Sequence, residues 1–494
     1  MINLESQHAT ERLAQDIAMA LAPGDVVHLV GDLGAGKTTL ARALIRALAD
    51  DGDHEVPSPT FTLVQTYDDL PVPVMHVDLY RLDDPDEVIE LGLDEARASH
   101  ALLVEWPEKG GDQLPEADLV VSFTSDACDE RRVELVCSSA DLQERWKRSR
   151  AIRSFLTAWR KHGNRSRLLG DASARSYEII RVDEQPLVLM NDPALPDGPE
   201  SAAQRAYADA FHLATEVRPF VAIAQLLDAR GFTVPTVVAS DLDDGLLLLS
   251  HLGQDRIVDS EGRPIAERYI AAADCLASLH SQDWPDTVEL SDGSAYSIPT
   301  FDANAMRIGL SLLPEWWGKE NALEQSEADA LYDLWQPIFD GLQHGYADLV
   351  LRDYHSPNIL WQSGVQDHHR VGLIDFQDAV LGPGAYDLAS LVRDARATVL
   401  EDLQEDMLTA YCKRAASLSQ TFDEPRLRRD VAALAACRSS RLLGLWVRLD
   451  LRDGKPGYRR HEPRTKAYLA QSLRHPDLGE LRSWYVRNGV IDDI

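Results

Sequence analysis

Hydrophobic positions change rhythm sharply at one glycine-rich segment near the start of the chain. Val26, Val27, Leu29 and Val30 form a short β-type run that stops at Gly31. Beyond Thr38, Ala41, Leu44, Ile45 and Leu48 recur at helical spacing. The pattern therefore predicts a strand, a glycine loop and a helix in succession. Further β-type runs fall at residues 61–67, 74–79 and 101–106, and a last pair at 119–123 and 133–137 flanks a polar turn. Together they predict a compact α/β unit ending near residue 140. Residues 138–150 are polar and alternate in charge, which predicts a boundary. The next helix is expected from about Ala151, with Ile152, Phe155, Leu156 and Trp159 on one face. Two β-type runs (177–182 and 186–190) split by Asp183 and Glu184 come next, and then the unbroken apolar stretch 246–249. From about Pro264 the spacing is mostly helical, interrupted between 346 and 387.

The glycine loop reads Gly31-Asp32-Leu33-Gly34-Ala35-Gly36-Lys37-Thr38, followed by Thr39, which is a Walker A motif in the strand-to-helix context it requires. Glycines at 31, 34 and 36 permit the tight loop and a close backbone approach to phosphate. Successive N–H groups and the helix N-terminus can cradle the phosphates of ATP. Lys37 can neutralise β/γ oxygens, and Thr38 can ligate Mg²⁺. Asp78 and Glu105 each end an apolar run, so either suits the second carboxylate of such a site; an ordinary surface acid is the alternative for each.

The N-terminal unit resembles the bacterial TsaE ATPases of tRNA threonylcarbamoyladenosine synthesis. The resemblance rests on the loop from Gly31 to Thr39, on Pro57-Ser58-Pro59-Thr60-Phe61-Thr62-Leu63-Val64, on His76-Val77-Asp78-Leu79-Tyr80-Arg81-Leu82 and on Leu103-Val104-Glu105-Trp106-Pro107-Glu108-Lys109. It implies an ATPase with Mg²⁺ at Thr38, Asp78 and Glu105, a catalytic part for Glu105, and a switch-like loop from Ser58 to Thr62. Its implied partners are the TsaB- and TsaD-like proteins that assemble the threonylcarbamoyl transferase.

A second phosphate-handling pattern lies far downstream. In Arg352-Asp353-Tyr354-His355-Ser356-Pro357-Asn358, Asp353 is the candidate catalytic base, and Asn358, five residues on, is placed to bind a metal. Asp375 follows Val371-Gly372-Leu373-Ile374 as the second metal ligand. His355 suits packing or hydrogen bonding better than catalysis. Adjacent Trp316 and Trp317 suit core plus surface better than sugar stacking. Asp378 and Asp387 are expected to brace the catalytic loops.

These segments are similar to the aminoglycoside phosphotransferase family, small-molecule kinases with a protein-kinase-like fold. Within it they resemble the anomeric kinases of N-acetylmuramate and N-acetylglucosamine. The matching stretches are residues 352–358, 374–380, 382–387 and 452–456, with the earlier 171–177 resembling a nucleotide-covering turn. The resemblance implies an amino-sugar acceptor and ATP with Mg²⁺ at Asn358 and Asp375. The chain departs from the usual pattern in two places. Arg352, with Leu351 before it, leaves no His ahead of Asp353, and Met190 lies in the strand where a phosphate-binding Lys is usual. Arg175 or Arg181 is expected to supply that charge.

The fold class expected is an α/β P-loop NTPase domain followed by a protein-kinase-like α+β two-lobed domain. Its divisions are residues 1–142, a linker at 143–150, and 151–494, with lobes at about 151–255 and 256–494. The function expected is a bifunctional one. The rivals are a kinase of another small alcohol (choline, homoserine, an aminoglycoside) and a non-catalytic binding module. A net charge of -32 argues against broad binding to nucleic acid or anionic membrane, and the basic run 145–150 reads as a solvated linker. No apolar run approaches the roughly 20 residues of a membrane span. The first residues lack the features of a secretory signal. Five scattered cysteines (Cys128, Cys137, Cys275, Cys412 and Cys437) lack metal-type spacing and fit a reducing cytoplasm.

Overall fold

The computed structural model describes residues 2–125, 131–159, 163–168, 175–182, 185–194, 199–342 and 347–492. Cys128 and positions 171–174 of the expected nucleotide-covering turn lie outside the described residues. Two compact units form, Met1–Pro193 with Val238–His251, and Ala194–Val237 with Leu252–Ile494.

The first unit contains the predicted strand–loop–helix. Strands β1 (Ile2–Leu4), β2 (Val26–Val30), β3 (Val64–Tyr67), β4 (Val74–Asp78), β5 (Ala101–Glu105), β6 (Leu119–Ser125) and β7 (Arg131–Cys137) form one sheet in the order β1-β7-β6-β2-β5-β4-β3. β2 lies parallel between β5 and β6, so it is the central strand. That position explains its apolar, non-alternating sequence, since parallel central strands are covered on both faces. Helices α1 (Gln7–Ala20) and α2 (Lys37–Ala49) pack their apolar stripes on this sheet. The short α3 spans Leu93–Arg97. The expected strand at 61–67 begins only at Val64, because Leu63 takes a left-handed φ of 63° and residues 59–62 form turns. β1 and α1 carried no sequence expectation.

The helix expected from Ala151 begins at Ala140 and runs to Ala158 as α4. Ser139 caps it by accepting the Leu142 N–H, and Asp141 sits in its first turn. Residues 143–150, expected as a linker, are therefore helical. The basic run is only partly solvated, with Lys147 and Arg150 exposed and Arg145 and Arg148 half-buried. Arg145 forms a two-pronged pair with Asp25 (2.9 and 2.8 Å), and Arg148 donates to Asn191 Oδ1 at 2.7 Å. Arg150 reaches Asp16 at 3.2 Å.

Past α4, strands β8 (Asn164–Leu168), β9 (Ser176–Val182), β10 (Gln185–Asn191), β11 (Val237–Asp241) and β12 (Leu246–Ser250) form a second sheet in the order β11-β12-β10-β9-β8. This sheet belongs to the same compact unit as the P-loop fold. A buried polar cluster joins them. Asp16 of α1 accepts from Arg153 Nε (2.8 Å) and Arg165 Nη1 (2.9 Å), while Arg165 also forks onto Glu178 (2.7 and 2.8 Å). Arg167 of β8 donates to the carbonyls of Ala18, Met19 and Leu21, capping the C-terminal end of α1.

The second unit is mostly helical: α5 (Pro199–Phe211), α6 (Arg218–Ala229), α7 (Ala266–His280), α8 (Ala303–Leu312), α9 (Gln325–Leu342), α10 (Ala385–Val392), α11 (Glu401–Leu418), α12 (Glu424–Leu451), α13 (Glu462–Ser472) and α14 (Gly479–Arg487). The long α12 is its central element, buried along much of its length. It packs tightly against the turn after α8 because Gly444 has no side chain; a Cβ there would lie 2.0 Å from Leu312 O. Two short antiparallel pairs, Asp348–Val350 with Val380–Gly382 and Ile359–Trp361 with Val371–Leu373, hold the segments that carry Asp353, Asn358 and Asp375. Among the described residues no helix is long and apolar enough to cross a membrane.

Candidate active sites

In the first unit, the loop between β2 and α2 has Gly31, Gly34 and Gly36 at φ of 151°, 81° and 112°. Gly31 also has no room for a side chain, since a Cβ would meet the Phe123 Cβ at 2.9 Å. Gly36 precedes α2 without a side-chain cap, so the first N–H groups of that helix are available to an anion. Asp32 O accepts from Ala35 N (3.1 Å), closing the loop, and Thr39 follows within the first turn of α2. The Lys37 ammonium folds back onto Gly31 O (2.5 Å) and Asp32 O (3.0 Å) and lies 3.5 Å from the centroid of the Trp106 ring. Burial lowers its pKa against the opposing pull of Glu105, Glu108, Asp78 and Asp32. The charge is thus held in a low-dielectric place, ready to exchange carbonyl oxygens for phosphate oxygens.

Register places the two expected carboxylates side by side, Asp78 opposite Glu105 at the ends of parallel β4 and β5. Thr38 Oγ1 donates to Glu105 Oε2 at 2.7 Å, and Thr60 Oγ1 donates to Asp78 Oδ2 at 2.7 Å. The expected switch-like loop therefore reaches the site through Thr60. Thr38, Asp78 and Glu105 offer only hard oxygen donors, which fits Mg²⁺. Sequence reasoning missed His76. It is fully buried, with Nε2 2.9 Å from Glu105 Oε1 and Nδ1 without a hydrogen-bond partner, so it holds the Glu105 carboxylate from behind. A histidine inside the apolar run of β4 was its only signal in the sequence. Trp106, at a left-handed φ of 57°, is likewise positioned by backbone strain beside Glu105.

In the second unit the catalytic-loop residues converge. Asn358 Nδ2 donates to Asp353 O (3.1 Å) and to Asp375 Oδ2 (3.3 Å), tying all three expected residues together. Arg352 and Asp375 both sit at positive φ, 71° and 60°, a strain retained where side chains must be aimed. Asp387 accepts the Leu351 and Arg352 N–H groups at 2.5 and 2.8 Å, the bracing role expected of it. Asp378 accepts the Ala214 N–H at 2.7 Å. Asp394, which carried no expectation, is the larger brace: it accepts from Ser356 N (2.8 Å), Tyr269 OH (2.8 Å) and Arg396 N (2.7 Å). His355 is buried with Nδ1 unpartnered, and burial lowers its pKa. Trp317 is buried and Trp316 half-buried.

Gln377 donates to Asp375 Oδ1 at 2.8 Å, while its buried Oε1 has no hydrogen-bond partner. That orphaned oxygen, with Asn358 and Asp375, makes an all-oxygen set compatible with Mg²⁺. Among the described residues no group of three or more His, Cys, Asp or Glu has metal-binding geometry, so water and phosphate would complete either coordination shell. Burial alone would raise the Asp353 pKa, but His355, Arg438, Arg441 and Arg352 together hold it below the ordinary carboxylate value. Of the two cations expected to replace the missing Lys, Arg175 is paired with Asp192 at 2.8 Å and Arg181 forks onto Asp50. Met190 is fully buried in β10.

A P-loop nucleotide site and a kinase-like catalytic loop therefore coexist in one polypeptide, and comparison with known proteins assigns each. Residues 164–429, more than half the chain, match the phosphotransferase enzyme family, and residues 4–133 match the threonylcarbamoyl adenosine biosynthesis protein TsaE. The chain belongs to the phosphotransferase enzyme family and carries a TsaE-family domain at its N-terminal end. It is similar to the N-acetylmuramate/N-acetylglucosamine kinase of Caulobacter vibrioides, 35% identical over 339 residues, which is 65% of this chain and 91% of that protein. The N-terminal part is similar to the tRNA threonylcarbamoyladenosine biosynthesis protein TsaE of Haemophilus influenzae, 43% identical over 117 residues, 23% of this chain and 71% of that protein. For the TsaE of Rickettsia felis the figures are 43% over 108 residues, 22% and 63%. The fold class expected from sequence holds, and ATP is the nucleotide of both families.

Proposed function

We propose a bifunctional cytoplasmic protein. Residues 1–142 form an ATPase of tRNA threonylcarbamoyladenosine synthesis, acting with TsaB- and TsaD-like partners. Residues 151–494 form an ATP-dependent kinase that phosphorylates N-acetylmuramate and N-acetylglucosamine on the anomeric oxygen. Residues 143–150 join them as part of α4. The four cysteines among the described residues are free thiols. The observation that carries the reading is the hydrogen-bonded set Asp353–Asn358–Asp375, separate from the Thr38–Glu105–His76 chain.

In the ATPase, Lys37 would exchange Gly31 O and Asp32 O for the β/γ-phosphates, with Thr38, Asp78 and Glu105 holding Mg²⁺. In the kinase, Asp353 accepts the hydrogen bond of the acceptor hydroxyl and takes its proton as that oxygen attacks the γ-phosphorus of ATP and the bond from it to the β-phosphate oxygen breaks, releasing ADP, while Asn358 and Asp375 would hold Mg²⁺. Bound there, the metal would neutralise charge on the terminal phosphates. The depressed pKa keeps Asp353 ionised but a weak base. An anomeric hydroxyl, more acidic than an ordinary alcohol, suits such a base.

Phosphorus NMR after incubation with N-acetylmuramate and ATP tests the kinase, the expected product being an anomeric phosphate ester. Turnover of a different alcohol with amino sugars untouched would sink the acceptor assignment. Nucleotide binding with no transfer at all would make this half a binding module. Lys37→Ala is expected to lower ATP hydrolysis at the P-loop by at least a hundredfold while sugar phosphorylation persists, measured as phosphate release and product formation in parallel. Loss of both activities would argue against independent sites.

A further inference from the structure

Helix α12 places Arg438, Arg441 and Arg448 on one face, at spacings of three and seven residues. Arg438 is buried, with 3% of its surface exposed, and its guanidinium lies 3.9 Å from Asp353 Oδ1. The Nε atoms of all three arginines are buried without a hydrogen-bond partner. Arg441 lies over the Phe211 ring at 4.9 Å, and Arg448 over the Tyr207 ring at 5.6 Å, where the Tyr207 hydroxyl is also unpartnered. Nearby Arg352 is spent on the Phe211 and His212 carbonyls. The acids whose charge acts on Arg441 are Asp353 and Asp378, and Asp378 already accepts the Ala214 N–H. In a chain of net charge -32, this is a local excess of positive charge beside the expected catalytic base.

Asp353 at 3.9 Å is a loose partner for Arg438, and buried guanidinium groups short of carboxylates are destabilising unless an anion completes them. The terminal phosphate of the nucleotide is one candidate, but the row does not stay at the reacting centre. Arg441 is about 4.5 Å along the helix from Arg438, and Arg448 about 15 Å. A row leading away from Asp353 suits a negative group carried elsewhere on the acceptor. Guanidinium forks match carboxylates geometrically.

Resting on the amino-sugar kinase reading, we propose that Arg441, flanked by Arg438 and Arg448, receives a carboxylate on the acceptor, so that the site favours an acidic amino sugar such as N-acetylmuramate over a neutral one such as N-acetylglucosamine. The test compares kcat/KM for the two sugars in the wild-type full chain, Arg441→Met, Arg441→Lys and Arg448→Met. The ratio in favour of the acidic sugar is expected to fall about ten- to hundredfold in Arg441→Met, chiefly through its KM, with partial recovery in Arg441→Lys and little change in the KM for ATP. Equal losses on both sugars, an unchanged ratio, or an effect confined to the KM for ATP would overturn the proposal. If Arg441→Met does not fold by circular dichroism, the less buried Arg448→Met decides by the same ratio. A wild-type enzyme that turns over neither sugar removes the kinase reading and this one with it. Loss of the ratio effect in an active enzyme removes this one alone.

Discussion

Asp353→Asn is expected to lower sugar-phosphate formation by about a hundred- to ten-thousandfold, with ATP hydrolysis at the Lys37 loop intact. The substitution keeps the size of the side chain and removes its ability to take a proton. Its surroundings should survive, because Asn358 bonds the backbone carbonyl of residue 353 and Asp387 and Asp394 hold the neighbouring N–H groups. A small effect would mean that Asp353 only lines the site. The pH profile provides an internal check. Since Arg438 is one of the groups holding the Asp353 pKa down, Arg438→Met should move the acid limb of kcat/KM upward, toward the ordinary carboxylate value. The carboxylate is the active form, so activity in the variant should be lost earlier as pH falls.

The second large effect is expected in the buried ion cluster around Asp16. Asp16→Ala should destabilise the first compact unit by about 3–5 kcal/mol, because it leaves Arg153 and Arg165 buried with Glu178 as their remaining carboxylate. For a unit of this size that corresponds to roughly 6–20 °C in the first thermal unfolding midpoint, read by calorimetry or circular dichroism. Arg181→Ala is the matched control. Its pair with Asp50 also links the P-loop fold to the five-stranded sheet, but the side chains are 47% and 41% exposed, and such pairs contribute about 0–1 kcal/mol. Similar shifts in both variants would mean that the Asp16 cluster is no more than a surface ion pair.

Much of the chemistry was legible in the chain itself. Gly31 to Thr38 sits between strand and helix as the spacing required, and Asp78 and Glu105 end adjacent strands as their apolar runs predicted. Asp353, Asn358 and Asp375 meet because short loops and one hairpin bring close neighbours in sequence together. Local order was enough for these residues.

Residues 138–150 show where such reading stops. Alternating charge looks the same in a solvated linker and in a helix whose arginines answer Asp16, Asp25 and Asn191, because those partners lie up to 134 residues away. His76 behind Glu105, Asp394 beneath the catalytic loop and the arginine row of α12 beside Asp353 escaped notice for the same reason. The sequence by itself determined the two phosphate-handling motifs, since backbone conformation and donor type are properties of contiguous residues. Only the tertiary structure decided which distant charges face each other, because the pairing of buried ions depends on which helices and strands pack together.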